Sequence, residues 1–197
     1  MKPQLIGITG GIGAGKSTVS KIFKHLGFKV YNSDERAKTL VSEDSSIKNK
    51  LVSSFGNKIF IDGVLDKSFL SEIVFNRKTA LEEINAIIHP EVKKDFLKWI
   101  TQNSYNQILF KESALLFETE AYKELDKTIY ISAPKKLRIE RVISRDSHRS
   151  VQNIEKIISN QIDDSEATNL SDYKLNNDGK ELLLPSVISL LDKITTS

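Results

Sequence analysis

The stretch that decides the fold is residues 5–18, Leu-Ile-Gly-Ile-Thr-Gly-Gly-Ile-Gly-Ala-Gly-Lys-Ser-Thr. Its first five residues form an apolar run of strand length, and residues 10–17 match the pattern G-x-x-x-x-G-K-[ST]. Apolar residues then recur at the spacing of one helix face: Val19, Ile22, Phe23 and Leu26. Gly27 follows as the predicted C-terminal cap of that helix. A strand, a glycine-rich turn and a helix in this order predict a phosphate-binding loop, or P-loop.

Each residue type in the loop has a chemical reason to be there. Glycines let the backbone wrap closely around a phosphate, and the amides at the positive end of the helix dipole point towards it. The Lys16 ammonium suits the β- and γ-phosphates of a nucleoside triphosphate, and the Ser17 hydroxyl suits a Mg²⁺ ion bridging the same oxygens. The predicted ATP-binding set is therefore Gly10, Gly11, Gly13, Ala14, Gly15, Lys16, Ser17 and Thr18.

Length and composition narrow the class of protein. The chain has 197 residues, enough for one domain with a sizeable core. It has no cysteine, which excludes a disulfide scaffold and favours a reducing compartment, so we expect a cytoplasmic protein. The formal charge is +3, from 29 basic and 26 acidic residues, which does not favour nucleic-acid binding. No signal peptide, membrane span or obligate protein partner is predicted from the sequence.

Strand-length apolar runs alternate with helical patterns along the rest of the chain. The predicted strands are 5–9, 28–32, 107–111, 128–132 and 173–176, and a final helix is predicted at 181–194. This alternation predicts an α/β fold with a doubly wound, mostly parallel sheet of about five strands. Ligands of such sheets collect at the carboxyl ends of the strands, so functional residues are expected just after them.

The segment between the second and third predicted strands is too long for a simple crossover. We therefore predict one domain over 1–197 with a helical insertion at about 44–100 that covers one side of the site. Within it, Leu81, Ile84 and Ile88 form a helical stripe that stops at His89-Pro90, and a second stripe follows the proline. The pattern predicts a helical hairpin broken at Pro90.

A P-loop leaves two function classes open, a phosphotransferase and a nucleotide switch. Guanine-nucleotide switches usually carry N-K-x-D and D-x-x-G motifs. Here Asn57-Lys58 is followed by Ile59-Phe60, and no aspartate has a glycine three positions later. A small-molecule kinase needs a carboxylate beside the acceptor hydroxyl and a closing lid of arginines, and both have candidates in this chain.

Asp34 is the candidate for the carboxylate. It follows the second predicted strand, at the edge of the sheet where ligands gather, and its role would be to accept or align the proton of the attacking hydroxyl. An alternative is that Asp34 caps a helix that begins at Glu35. The two roles can coexist.

The lid candidate is the segment 137–150. Arg138, Arg141 and Arg145 share one helix face, with Arg149 beyond them, and an anionic polyphosphate would neutralise their mutual repulsion. The alternative is a solvated face whose charge is balanced by Glu140 and Asp146. Glu112 and Glu118, near the end of the third strand, are weaker candidates for a water-mediated contact to the metal.

These residues resemble, in type and order, those of dephospho-coenzyme A kinases. Beyond the P-loop, Asp34 and the arginine helix, the likeness includes Phe55-Gly56, the stretch 62–67, the stretch 73–75 and His89-Pro90. Later motifs also resemble the family: the stretch 115–118, Arg141 with Arg145-Asp146, Gln161, and Asp172 leading to Asn177-Asp178-Gly179. The resemblance covers nearly the whole chain.

The resemblance implies ATP-dependent phosphorylation of the ribose 3′-hydroxyl of dephospho-CoA, the last step of coenzyme A biosynthesis, with Mg²⁺ required. It implies Asp34 as the catalytic aspartate, Arg141 and Arg145 as lid arginines, and an insertion that covers the CoA side. We therefore predict Asp34, Lys16 and Arg141 as the catalytic residues and Arg145 as a further ATP-binding residue. Three positions depart from the family pattern. Asn32 replaces the first acid of D-A-D, Lys67 replaces an arginine, and Ala114 replaces a proline. The runner-up function is another nucleoside or nucleotide kinase.

Overall fold

The computed structural model describes residues 2–77 and 79–196, and the chain divides into two compact units. Unit 1 comprises Met1–Tyr31 and Asn103–Ser197, and unit 2 comprises Asn32–Gln102. The insertion predicted at about 44–100 falls inside unit 2, but the unit begins twelve residues earlier in the chain.

The elements alternate as the sequence pattern predicts. The strands are β1 (Gln4–Thr9), β2 (Lys29–Asn32), β3 (Phe60–Ile61), β4 (Val64–Leu65), β5 (Ile108–Glu112), β6 (Lys127–Ser132) and β7 (Tyr173–Asn176). The α-helices are α1 (Lys16–His25), α2 (Ser33–Glu43), α3 (Ser45–Phe55), α4 (Lys67–Asn76), α5 (Ala80–Gln102), α6 (Lys135–Arg145), α7 (Val151–Ser159), α8 (Asp164–Leu170) and α9 (Leu183–Thr195). In the described part of the chain, none of these helices is long and apolar enough to cross a membrane.

The main sheet places the P-loop strand at its centre. Within the described residues it has five strands in the order β2-β5-β1-β6-β7, and β1 pairs in parallel with both β5 and β6. All five predicted strands are confirmed, each within one residue at its ends. Because β1 lies between strands that come much later in the chain, its carboxyl end is the point where the strand order switches, which is where open α/β sheets bind ligands.

Helix α1 packs on this sheet through the apolar face that its sequence predicts. Phe23 is fully buried and stacks on Phe110 of β5, with ring centroids 4.1 Å apart. The predicted cap at Gly27 is confirmed: its φ is +93°, and the following amide of Phe28 donates 3.0 Å to the Phe23 carbonyl. The helix that begins at the P-loop is therefore fixed at its far end by both packing and a glycine cap.

Unit 2 has its own apolar core, formed where α2, α3 and α5 pack together. Its fully or nearly buried members are Val41, Ile47, Leu51, Ile59 and Ile84. Helix α2 contributes to this core, which explains why the unit starts at Asn32 rather than at about residue 44. The side chains of Lys67, Val74 and Phe75, three residues of the family resemblance, lie outside the described part of the structure.

The prediction of a helical hairpin broken at Pro90 is wrong. Helix α5 runs without interruption from Ala80 to Gln102, with Pro90 inside it. A proline in a helix interior removes one backbone hydrogen bond and costs about 3 kcal/mol. Burial of Ile84 before the proline and of Val92 and Phe96 after it offsets that cost, so one long helix forms.

Candidate active site

The P-loop joins β1 to α1 through backbone conformations that favour glycine. Gly13 has φ +76°, and Gly15, the N-cap residue of α1, has φ +103°. Among the described residues no side chain makes a capping hydrogen bond to this helix, so no side chain competes with an anion at its N-terminus. The positive end of the helix dipole adds to this preference. The backbone of the loop is therefore compatible with the phosphate site that the sequence pattern predicts, and the site itself stays a prediction.

Three polar side chains lie in the first turn of α1, next to the predicted phosphate site. The Lys16 ammonium donates hydrogen bonds to the carbonyls of Gly10, at 2.7 Å, and Gly11, at 3.2 Å. Ser17 and Thr18 are exposed in the first turn of the helix. The structure thus brings the predicted nucleotide-binding residues of the loop together.

Arg138 contacts the loop from α6, and this contact was not predicted. Its side chain is 4% exposed, and its Nε donates 2.9 Å to the Ile12 carbonyl. Gln161 Oε1 accepts from the Ile12 amide at 2.9 Å and from Arg138 Nη2 at 3.3 Å. Arg138 was expected to share a lid face with Arg141 and Arg145, but it is buried against the P-loop.

Asn177 makes a second link to the loop, immediately after β7. Its Nδ2 donates 2.8 Å to the Ala14 carbonyl. Its Oδ1 and its backbone carbonyl accept from the Arg141 guanidinium at 3.2 Å and 3.0 Å. The predicted catalytic arginine is therefore tied to the loop through one asparagine, a residue that the sequence marked only through the family resemblance.

The remaining lid candidates lie at the end of α6 and in the turn beyond it. Arg145 is the last residue of the helix and is exposed. Arg149 donates 2.7 Å to Asp146, and this hydrogen bond lowers the pKa of the Asp146 carboxyl. The Arg149–Asp146 pair agrees with the alternative in which this surface is solvated and its charges are balanced. The lid at 137–150 stays a prediction.

Asp34 lies in unit 2, exposed, in the first turn of α2. The N-cap of this helix is Asn32, whose side-chain oxygen accepts from the Glu35 amide at 3.0 Å. The alternative in which Asp34 caps a helix that begins at Glu35 is therefore wrong. The helix begins at Ser33, and Asn32, the residue that departs from the family's first acid, does the capping.

The carboxylates near β5 have different surroundings. Glu112 is 5% exposed at the carboxyl end of the strand, opposite Ile8 of β1. Glu118 accepts a hydrogen bond of 3.1 Å from the Ile162 amide.

The described residues hold no cluster of three or more histidines, aspartates and glutamates that could bind a metal ion on its own. At nucleotide sites Mg²⁺ is usually bound by few protein oxygens, and phosphate oxygens and waters complete its coordination. The exposed Ser17 hydroxyl is a suitable protein ligand of this kind.

The fold and the loop together define a P-loop nucleotide-binding α/β protein. Residues 4–182 match the dephospho-CoA kinase family, so the chain belongs to that family and is a kinase that uses ATP. A dephospho-CoA kinase of Bacteroides fragilis is 37% identical over 186 residues, which are 94% of this chain and 90% of that protein. One from Fusobacterium nucleatum is 38% identical over 179 residues, covering 90% and 91% of the two chains.

Solved structures agree with this assignment. Dephospho-CoA kinase from Campylobacter jejuni superposes with a TM-score of 0.71 at 28% identity, over 98% of this chain and 97% of that one. The TT1252 protein from Thermus thermophilus superposes with a TM-score of 0.84 at 26% identity, over 100% and 98%. A shikimate kinase from Bacteroides thetaiotaomicron, at 14% identity and a TM-score of 0.56, shares the fold.

Proposed function

We propose that the chain performs the reaction of its family with Lys16, Asp34 and Arg141 as the catalytic residues. The γ-phosphoryl group of ATP passes to the ribose 3′-hydroxyl of dephospho-CoA, which gives CoA and ADP in the last step of coenzyme A biosynthesis. The observation that carries the proposal is the P-loop, with its lysine and with a helix N-terminus that no described side chain caps, in a chain that matches the family over residues 4–182.

Asp34 is the base. The new bond joins the 3′ oxygen to the γ-phosphorus, the bond from the γ-phosphorus to the β,γ-bridging oxygen breaks, and the hydroxyl proton passes to the Asp34 carboxylate. Asp34 is two residues beyond the end of β2, so the chain holds its Cα within about 7 Å of that strand end. Because Asn32 supplies the cap of α2, the Asp34 carboxylate is not required for that role.

The cationic groups stabilise charge as the phosphoryl group moves. Lys16 exchanges its hydrogen bonds to the Gly10 and Gly11 carbonyls for the β- and γ-phosphate oxygens. Arg141, held by Asn177, is oriented beside the loop, and Arg145 on the next turn of α6 adds a second guanidinium for the polyphosphate. Both arginines act as the lid, at about 137–150, which excludes water from the transfer.

The Ser17 hydroxyl would hold Mg²⁺, and the bound ion would supply positive charge that stabilises the phosphate groups during the transfer. The helical insertion at about 44–100 binds the acceptor. The absence of cysteine fits a cytoplasmic enzyme. Its partners in this account are the small molecules ATP and dephospho-CoA alone.

An acceptor panel tests the proposal. The purified chain is incubated with ATP, Mg²⁺ and one acceptor at a time: dephospho-CoA, adenosine, AMP or shikimate. ADP formation should require dephospho-CoA and should follow its disappearance mole for mole. A chain that phosphorylates a nucleoside or nucleotide but not dephospho-CoA would be a different kinase, and ADP formed at the same rate without any acceptor would argue for a hydrolase or switch.

A further inference from the structure

We propose that Arg138 and Gln161 form a clamp that positions the P-loop, and that the affinity for ATP depends on it. Neither residue has a role in the proposed phosphoryl transfer. The proposal depends on the proposed function in one respect, that the P-loop is the ATP site.

The clamp holds both polar groups of one P-loop residue. The Ile12 carbonyl accepts from Arg138 Nε at 2.9 Å, and the Ile12 amide donates to Gln161 Oε1 at 2.9 Å. Arg138 Nη2 also donates to the same Gln161 oxygen at 3.3 Å, so the two side chains are joined to each other. With both groups of Ile12 engaged, the peptide planes on either side of it cannot rotate freely, and the amides that follow keep their direction.

Burial makes this arrangement stiff. The Arg138 side chain is 4% exposed, and its Nη1 donates 3.3 Å to Asp164, which also accepts from the Tyr130 hydroxyl. A guanidinium withdrawn from water to this degree is costly unless its donors are satisfied. Arg138 faces away from solvent into the loop, and it therefore acts on ATP through the backbone and not as a phosphate ligand.

Gly11 supplies an independent sign of how closely the clamp fits. Its φ is not positive, so the backbone conformation does not demand glycine there. A Cβ at this position would instead overlap the Arg138 guanidinium, with Nη1 at 2.8 Å and with Nη2 and Cζ closer still. A side chain at position 11 would have to displace the Arg138 guanidinium, and the two positions should therefore be coupled energetically.

The Gln161 pair of variants is the central test, with ATP affinity measured by calorimetry and steady-state kinetics measured for both substrates. Gln161→Leu removes the acceptor, whereas Gln161→Glu keeps an oxygen for both the Ile12 amide and Arg138. We expect Gln161→Leu to weaken ATP binding and raise the KM for ATP about tenfold, because small displacements of positioning groups cost about that much or more. The KM for dephospho-CoA should stay unchanged, and Gln161→Glu should restore most of the ATP affinity.

Lys135→Gln is the matched control, since it removes a cation from the same helix. Lys135 pairs with Glu155 on the surface, 3.2 Å away and 59% exposed, and its loss should leave ATP affinity within about twofold of the wild type. An unchanged ATP affinity in folded Gln161→Leu, or an equal loss in the control, would overturn the clamp. So would a fall in melting temperature with no change in either KM, which is the signature of a purely structural contact.

A double-mutant cycle tests the Gly11 contact. Gly11→Ala alone should weaken ATP binding, and Arg138→Gln, which shortens the side chain, should make the same alanine at least about threefold less harmful. Additive effects would contradict the coupling. If Arg138→Gln does not fold, the Gln161 pair still decides the proposal. Because ATP affinity is read without an acceptor, a chain that fails to phosphorylate dephospho-CoA would refute the function while leaving the clamp testable.

Discussion

Lys16 is the residue whose charge serves both the bound ATP and the moving phosphoryl group. We expect Lys16→Met to lower kcat and raise the KM for ATP, with kcat/KM falling about 10²-fold or more, because the charge acts in the ground state and the transition state alike. Steady-state kinetics at varied ATP measures both parameters. Lys21→Met, an exposed lysine of the same helix, is the control, and an equal loss there would show that general charge rather than the Lys16 position matters.

Asp34 should behave differently, because it acts on the acceptor hydroxyl. Asp34→Asn is expected to lower kcat about 10²-fold or more, the usual size of a general-base contribution, while ATP affinity is largely kept. The comparison is with Glu35→Gln, which removes the neighbouring exposed carboxylate of the same helix turn. Turnover of Asp34→Asn close to the wild-type rate would remove Asp34 from the catalytic residues.

For individual residues, the sequence predicts the P-loop but not the side chains that hydrogen-bond to its backbone. The pattern at 10–17 is local, and every residue type in it has a chemical meaning on its own. The contacts of Arg138 with Ile12 and of Asn177 with Ala14 join positions 126 and 163 residues apart. The spacing along α6 predicts that Arg138 and Arg141 share one helix face, but only the folded structure shows that the Arg138 side chain is buried.

Among the elements, the central strands β1, β5 and β6 were predictable because each is a mostly buried run of a parallel sheet, whereas in edge strand β7 only Leu175 is buried. The long helix α5 was not, because a local rule about Pro90 competes with burial of apolar side chains on both sides of it. The short hairpin of β3 and β4 turns at Asp62-Gly63, with φ +49° and +78°. That dipeptide is a recognised hairpin signal, but the hairpin was not predicted from the sequence.

Asp172 fixes the start of edge strand β7 against β6. Its carboxylate accepts from the Thr128 amide at 2.8 Å, from the Thr128 hydroxyl at 3.0 Å and from Lys127 Nζ at 3.1 Å. Partial burial alone would raise the pKa of this carboxyl, but the hydrogen bonds from Lys127 and Thr128 outweigh it and hold the pKa below 3.8. The charged form is therefore favoured by folding.

Asp172→Asn should accordingly lower the free energy of unfolding, by about 1 kcal/mol near neutral pH, because the carboxylate is 34% exposed and solvent screens its hydrogen bonds. A group with a lowered pKa in the folded state stabilises above its unfolded pKa, and the contribution is lost as the pH falls through the folded value. The difference between wild type and variant should thus be constant above about pH 5 and shrink below about pH 4. Urea unfolding across this range measures it. Asp192→Asn, an exposed carboxylate, should show neither effect, and a gap that widens in acid would contradict the assignment.

For the molecule as a whole, the proposed function predicts that the two units bind different substrates. Hydrogen exchange with ATP alone should protect amides of the P-loop and the start of α1 in unit 1. Dephospho-CoA alone should protect amides within about 44–100 in unit 2. Adenosine is the control ligand, since it lacks both the pantetheine arm and the phosphates. Protection by dephospho-CoA confined to unit 1 would contradict the assignment of the acceptor to the insertion.

The boundary between the two units could be predicted from the sequence only in part. Length between strands predicted an insertion, and unit 2 contains it, but the boundary at Asn32 depends on α2 sharing a core with α3 and α5. The apolar residues of α2, such as Leu40 and Val41, do not reveal in sequence which unit they join. A boundary set by packing partners is therefore not visible from the chain's own pattern.

The most direct test of the central claim is the position of the phosphate in the product. Dephospho-CoA is incubated with the chain, ATP and Mg²⁺, and the product is analysed by mass spectrometry with fragmentation and by phosphorus NMR. The account predicts one added phosphoryl group on the ribose 3′ oxygen, in a product identical to CoA. Dephospho-CoA recovered unchanged, or a phosphate found at any other oxygen, would contradict it.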